Sequence, residues 1–357
     1  MPPAETCNGM DDDCDTLVDE GSWGLVGSRR RLTMHGAAGG DVDTVWTGTE
    51  IGAAWRHDSG GRYVTVATVQ LNGSIRWTVQ NLDWVSWGNY EVAIAYTGSS
   101  FGVVYRRMYD GIYYSLVDVN GNVLRRNVRI TGSYYSGGDI QLAWNGTDFG
   151  LIYWEGSLRF LRFNISGIVT FTPIIVATGG SPDIVWVGDG YRYCWVDGDP
   201  YVGKLDAEGN VFGTPVRLST LGNASDCRIA SGPAGIAVVW SRQVSAYNWD
   251  VYVSTMTREL GSISTQIVAS SSNIEDRPNV TARGSDLVVV WRGNEDPYYR
   301  RLFWSSSDST FDGGSVNVAS LPRDINRPAV VRADPNFAVI WVDNSTYDVY
   351  FQLIGCP

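Results

Sequence analysis

The sequence predicts an all-β fold, a closed ring of seven four-stranded blades, and three observations carry that expectation. The first is composition: 41 Gly, 15 Trp and 19 Tyr stand against 27 Lys+Arg in 357 residues. Turn residues and aromatics dominate, and no long segment repeats its apolar residues at helical spacing, so many short strands are expected. The second is a column of aromatics, Trp55, Tyr105, Tyr153, Trp195, Trp240, Trp291 and Trp341, at intervals of 50, 48, 42, 45, 51 and 50 residues. A period of about 40–50 residues with four strands per unit is the signature of a β-propeller. The third lies at the chain ends. The last unit stops at Cys356 after its third strand, and 28–33 supply a replacement fourth strand. Closure of this kind leaves no open sheet edge.

Each unit offers its strands in the same order. The first precedes a tight turn, as in Val45-Trp46, Ile94 to Tyr96, Leu142 to Trp144 and Ile184 to Trp186. The second carries the column aromatic. In Trp144-Asn145-Gly146-Thr147-Asp148-Phe149-Gly150-Leu151-Ile152-Tyr153 the two strands and their turn stand side by side. The third alternates apolar and polar residues: Tyr113 to Val119, Leu158 to Phe163, Asp250 to Met256, Asp348 to Leu353. The fourth is short: Asn127 to Ile130, Pro173 to Val176, Pro215 to Leu218, Gln266 to Val268. Asn-Gly and Glu-Gly-Asn turns join third to fourth, because Asn and Gly tolerate the positive φ of tight hairpins. Residues 24–33 parallel 209–219, which places the closing strand. The chain divides into an acidic, cysteine-flanked segment, 1–21, and a propeller, 22–357.

The formal net charge of -11 argues against nucleic-acid binding, which depends on clustered Lys and Arg. No apolar run reaches the roughly 20 residues that span a bilayer. The start Met1-Pro2-Pro3 reads as following a removed leader, and the expected location is secreted or cell-surface. The five cysteines, Cys7, Cys14, Cys194, Cys227 and Cys356, suit an oxidising compartment. Cys194 and Cys227 fall at similar heights on neighbouring blades and are expected to pair. Cys7 pairs with Cys14, or one of them pairs with Cys356 and locks the ring.

The segment Glu5-Thr6-Cys7-Asn8-Gly9-Met10-Asp11-Asp12-Asp13-Cys14-Asp15-Thr16-Leu17-Val18-Asp19-Glu20-Gly21 resembles the short metal-binding motif of MopE-type and myxobacterial secreted proteins. Its departure from that motif is Thr16, where Gly is usual. The resemblance implies a secreted or surface protein and defines no activity. Read as residues, Asp11, Asp13 and Asp15 alternate as calcium-loop ligands do, followed by the Leu17 carbonyl, Asp19 and an early Glu20. Thrombospondin type 3 repeats look similar. Hard carboxylate oxygens favour Ca2+; copper is the alternative, suggested by the MopE-type resemblance alone. The propeller itself resembles the divergent secreted propellers of bacteria, some of them lectins. It lacks the Gly-His and Trp-Asp signature of WD repeats and the Asp box of sialidases.

Counting back 14 residues from the column gives the start of each innermost strand: Asp41, Glu91, Asp139, Ser181, Asp226, Arg277 and Arg327. These should ring one mouth of the channel. Two readings stand: a ligand site in which Arg holds an anion and carboxylates hold hydroxyls or a cation, or mutual neutralisation with trapped water. Loops on the same face carry Asp58, Asp110, Asp197, Asp199, Tyr247, Asn248, Trp249, Asp250, Asn294, Asp296, Tyr298, Tyr299, Asn344 and Tyr347, types that suit a glycan or a surface-protein ligand. Enzymatic signals are weak. The two histidines, His35 and His57, have no metal or triad spacing. A binding or adhesion module with a structural calcium site is the expected function. Polysaccharide lyase or glycoside hydrolase chemistry at the channel-mouth carboxylates is the alternative.

Overall fold

A computed structural model describes residues 23–33, 38–57, 62–85, 91–132, 138–304, 309–319 and 324–356. The acidic segment and its candidate ligands Asp11, Asp13, Asp15, Leu17, Asp19 and Glu20 lie outside the described residues, as do Cys7, Cys14, His35 and Asp58. The rest forms seven antiparallel sheets of four strands, in sequence order except where the N-terminal strand completes the last, and the first has a short extra strand at Trp84–Val85. No helix occurs among the described residues.

The innermost strands are Ala38–Trp46, Val92–Tyr96, Ile140–Trp144, Gly180–Trp186, Ala224–Gly232, Glu275–Arg283 and Ala329–Ala333. Each packs against the next, and the seventh packs against the first, so the ring is closed. Closure uses Gly24–Arg31, which pairs with Asp348–Gly355 as the outer strand of blade seven. This strand begins earlier than the 28–33 expected and bulges between Val26 and Arg30. Leu32 and Thr33 extend it by hydrogen bonds: Leu32 N donates to the Val349 carbonyl (2.8 Å), and Val349 N donates to the Thr33 hydroxyl (2.9 Å).

Tight turns join first to second strands on one face, here the turn face. Thr47, Thr97, Asn145 and Val187 each donate their N–H to the carbonyl three residues on, at 2.9–3.1 Å. Gly48, Gly98, Gly146 and Gly188 follow at φ of 96–102°, a conformation that L side chains resist. The longer connections lie on the opposite, loop face.

All seven column aromatics are buried, with 0–5 % of their surface exposed. Their partner is a residue directly across the hairpin, and in five blades it is tyrosine. Tyr105 faces Tyr113, Trp195 faces Tyr201, Trp240 faces Tyr252, Trp291 faces Tyr298, and Trp341 faces Tyr350. The rings stack with interplanar angles of 8–19° and centroids 4.4–6.4 Å apart. Such pairs contribute roughly 0.5–1.5 kcal/mol beyond the area they bury.

Blades one to four mesh through a second device. Gly52, Gly102 and Gly150, three residues before the column, leave space for Phe101, Phe149 and Tyr191 of the next blade. A disulfide between Cys194 and Cys227, with Cα atoms 6.3 Å apart, ties the second strand of blade four to the first of blade five, as expected. Cys356 is also disulfide-bonded, and the two remaining cysteines of the chain lie outside the described residues.

A methyl group at Gly102 would stand 2.3 Å from the Phe149 ring. Gly102→Ala is therefore expected to destabilise the fold by about 1–3 kcal/mol, the usual cost of overpacking. Chemical denaturation measures it as a lower midpoint; an unchanged midpoint would show that the blades do not mesh there.

Candidate functional site: the central channel

The innermost strands open with an irregularity that governs where their side chains go. Register shifts fall at Gly39/Val42, Gly180/Asp183, Ser225/Cys227 and Asp276/Asn279. Within them Ser181, Asp226 and Arg277 take left-handed conformations at φ of 48–52°. A bulge inserts one residue and re-aims its side chain, and here it brings long polar side chains to the loop-face mouth.

Arg327 crosses that mouth. Its guanidinium binds Asp41 of blade one (Nη1 to Oδ2, 3.0 Å) and also Asp226 of blade five, while its backbone N–H donates to Asp41 Oδ1 (3.2 Å). Burial opposes the charge on Asp226, but Arg327, Arg228 and Arg277 outweigh it and hold the carboxyl below the usual range. Arg277 turns to Asn326 Oδ1 (3.1 Å) and the Ile325 carbonyl rather than to a carboxylate of the ring. Glu91 and Asp139 share a cavity of about 30 Å³ with Asp41 and Arg327. Burial, then Asp139 and Asp41, push Glu91 up to about 7, against the pull of Arg327 and Arg106. Arg106 follows a column aromatic and is wholly buried; its guanidinium caps the carbonyls of Gly138 (3.2 Å) and Trp154 (2.9 Å).

Two residues further into the channel lies a second polar level: Asp43, Gln141, Asp183, Arg228 and Asn279. Asp43 accepts the N–H of Thr44 (2.9 Å) and that of Ile94 on the next blade (2.8 Å). Asp183 repeats this with Ile184 (2.8 Å) and Ile229 (2.9 Å). Each carboxylate therefore clips two blades together. Withdrawal from bulk water pushes Asp43 up to about 6 and Asp183 up as well; Arg228 opposes both shifts.

Beyond this level the channel widens toward the turn face into cavities of about 540 and 330 Å³. Trp46, Tyr96, Trp144 and Trp186, one from each of blades one to four, line the rim, and Ser231, Ala282 and Arg332 occupy the matching places in blades five to seven. The channel is thus a funnel, wide and part-aromatic at the turn face, braced by Arg327 at the loop face. The rim residues were not singled out from the sequence, although each stands nine residues before a column aromatic.

Many loop-face residues expected to recognise a ligand have structural partners. Asp199 binds Arg217 and accepts the Gly222 N–H, Asp197 accepts the Thr178 hydroxyl, and Asp110 accepts the Tyr113 hydroxyl. Asp250 accepts the Tyr252 hydroxyl, Asp296 accepts from Asn317, and Asn344 binds Asn326 and Asp324. Tyr298 is the stacking partner of Trp291, and Tyr299 is 2 % exposed. Asn294 lies in one of these turns, whereas Asn248 and Trp249 open the third strand of blade five, Asn248–Met256. Tyr247 and Tyr347 do stand exposed in the loops, as does Tyr109. His57 stacks on Tyr63 at 4.1 Å. Among the described residues no three His, Cys, Asp or Glu side chains are grouped to hold a metal ion.

No protein-family model matches this chain, and no curated protein matches it. Solved structures do. The β-propeller domain of Cps50 (Swd1) from Myceliophteria thermophila superposes with a TM-score of 0.59 at 12 % identity, covering 91 % of this chain and 99 % of that one. Kuenenia stuttgartiensis hydrazine synthase superposes with a TM-score of 0.61 at 13 % identity, covering 92 % of this chain and 98 % of that one. At such identities the likeness shows the fold alone: seven blades of four antiparallel strands.

A carboxylate with a raised pKa holds its proton in the folded state over a window where the unfolded chain has lost it. Stability contributed this way falls as pH rises, here between the ordinary glutamate value and about 7 for Glu91. Glu91→Gln removes the penalty. Its melting temperature relative to the parent is expected to rise between pH 5 and pH 8, equivalent to on the order of 2 kcal/mol. A pH-independent difference in scanning calorimetry would refute the assignment.

Proposed function

We propose that this propeller is a secreted or cell-surface binding module whose ligand is a carbohydrate seated in the turn-face funnel. The observation that carries the reading is the funnel itself. Its two cavities of about 540 and 330 Å³ lie within the range of small-molecule sites; both reach the polar floor, and between them they carry the aromatic rim, Trp46 in the larger and Tyr96, Trp144 and Trp186 in the smaller. Flat rings pack on the apolar face of a pyranose, while Asp43, Gln141, Asp183, Arg228 and Asn279 offer donors and acceptors to hydroxyls. The disulfide bonds at Cys194, Cys227 and Cys356 support an oxidising compartment.

A surface-protein ligand is the second reading, favoured by the exposed rings of Tyr109, Tyr247 and Tyr347 on the loop face. Exposed tyrosines of this kind are common anchors in protein recognition. Glycoside cleavage at the loop-face carboxylates finds less support. Arg327 engages Asp41 and Asp226, and the cavity of about 30 Å³ beside Glu91 and Asp139 has room only for a water molecule or two. The acidic segment is read as a structural calcium loop, on the hardness of its carboxylate oxygens, with copper as the alternative.

A glycan array is expected to return a defined set of oligosaccharides. Trp186→Ala should weaken the strongest of them about tenfold, a loss of roughly 1.4 kcal/mol, with the melting temperature recorded alongside. An array with no signal would remove the carbohydrate reading. Calorimetric titration of metal-free protein should show heat with calcium, abolished in Asp11→Asn/Asp13→Asn; no heat with calcium would sink the loop assignment.

A further inference from the structure

We infer that the turn-face funnel selects ligands bearing a protonated amine, which sits between Asp43 and Asp183 on its floor. This rests on the reading of the funnel as a carbohydrate site and names the chemistry that the site prefers.

The argument is one of charge balance. Asp43 comes from blade one and Asp183 from blade four, yet both line the same cavity. Neither forms an ion pair with another described residue. The hydrogen-bond partners of each are two backbone N–H groups, which leaves lone pairs on both carboxylates. One cation stands at their level, Arg228, and its guanidinium donates to the Cys227 carbonyl (2.7 Å) rather than to either aspartate. Arg327 above is engaged by Asp41 and Asp226. Arg332 at the rim is held by Asp334, Nε to both carboxylate oxygens at 2.8 Å. The floor therefore carries two half-buried carboxylates against one guanidinium, a net negative charge.

Such a site takes up a proton or a cation, because an uncompensated buried charge is costly. Burial pushes both carboxyls up, Asp43 to about 6, against the pull of Arg228. A metal ion is a poor occupant: no third carboxylate, His or Cys joins the two aspartates among the described residues. An ammonium group suits the space better. It brings three donors for the free lone pairs, and the half-buried rings of Trp46 and Trp186 on the walls favour a cation near their faces. A sugar that bears an amine in place of a hydroxyl meets floor and rim together.

The test compares three probes by calorimetry near neutral pH: the trimer of glucosamine, its N-acetylated counterpart and the trimer of glucose. A simple alkyl diamine serves as a fourth. The glucosamine trimer is expected to bind at least about tenfold more tightly than either neutral trimer. Asp43→Asn/Asp183→Asn should abolish that preference. Should the double variant fold poorly, Ser231→Lys places a competing ammonium at the rim without touching either carboxylate, and should weaken the amine about tenfold. Equal binding of amine and neutral trimers, or a preference that survives in the variants, overturns the inference and leaves the carbohydrate reading standing. Binding of the diamine without any sugar keeps the cation chemistry and removes the carbohydrate. Silence from all four probes removes both.

Discussion

The buried column aromatic at the centre of each blade, stacked on a tyrosine in five of the seven, is the contact on which the rest of the molecule depends. A large ring on the second strand lies flat against a residue on the third, tyrosine in five blades of seven. The pair fixes the register of one hairpin, because a slip of one residue would move the ring to the other face of the sheet. It also fixes the height of the innermost strand, since Val42, Val92, Ile140 and Cys227 pair directly with Trp55, Tyr105, Tyr153 and Trp240. With that height set seven times over, the polar residues at the start of each innermost strand come level with one another. The loop-face ring and the second polar level are consequences of this packing.

The two ends of the channel differ because the innermost strands differ at their two ends. The loop-face starts carry charged side chains, and Arg327 reaches from blade seven to partners on blades one and five. Flat aromatic ends on blades one to four face small residues or arginine on blades five to seven, so the turn-face end stays open. The same division appears in the packing between blades. Gly52, Gly102 and Gly150 accept the ring of the following blade, whereas Ala237, Val288 and Ala338 stand at the equivalent positions later in the chain. Blades one to four share one interlocking scheme, and the aromatic arc of the funnel belongs to it.

How much of the site was legible follows from what repeats and what does not. Asp41, Glu91, Asp139, Asp226, Arg277 and Arg327 could be found by counting from the column, because the strand period is regular over those 14 residues. Their pairing could not. Arg277 and Arg327 look alike in the sequence, yet Arg327 bridges two carboxylates and Arg277 turns to Asn326 and a carbonyl. The deeper pair, Asp43 and Asp183, repeats in two blades of seven and so gave no periodic signal. Its weight comes from the two lining one cavity in which Arg228 is the guanidinium at their level. The loop-face carboxylates read as ligand groups in isolation, but partners such as Arg217, Tyr113 and Asn317 absorb them as the loops fold back.

The sequence by itself determined the number of blades, the strand order within them, the use of an N-terminal strand for closure and the pairing of Cys194 with Cys227. All of these follow from local periodicity, since strand alternation and turn chemistry act over a few residues and repeat seven times. The bounds of individual strands were less secure. The closing strand starts at Gly24, and the outer strand of blade three runs over Val169–Ala177 rather than four residues, because pairing partners, not propensity, decide where a strand ends. Only the tertiary structure decided which end of the channel is open, which carboxylates are neutralised and which are left without a counter-charge. Those properties depend on distances across the ring between residues more than a hundred positions apart, such as Asp226 and Arg327, where no sequence period reaches.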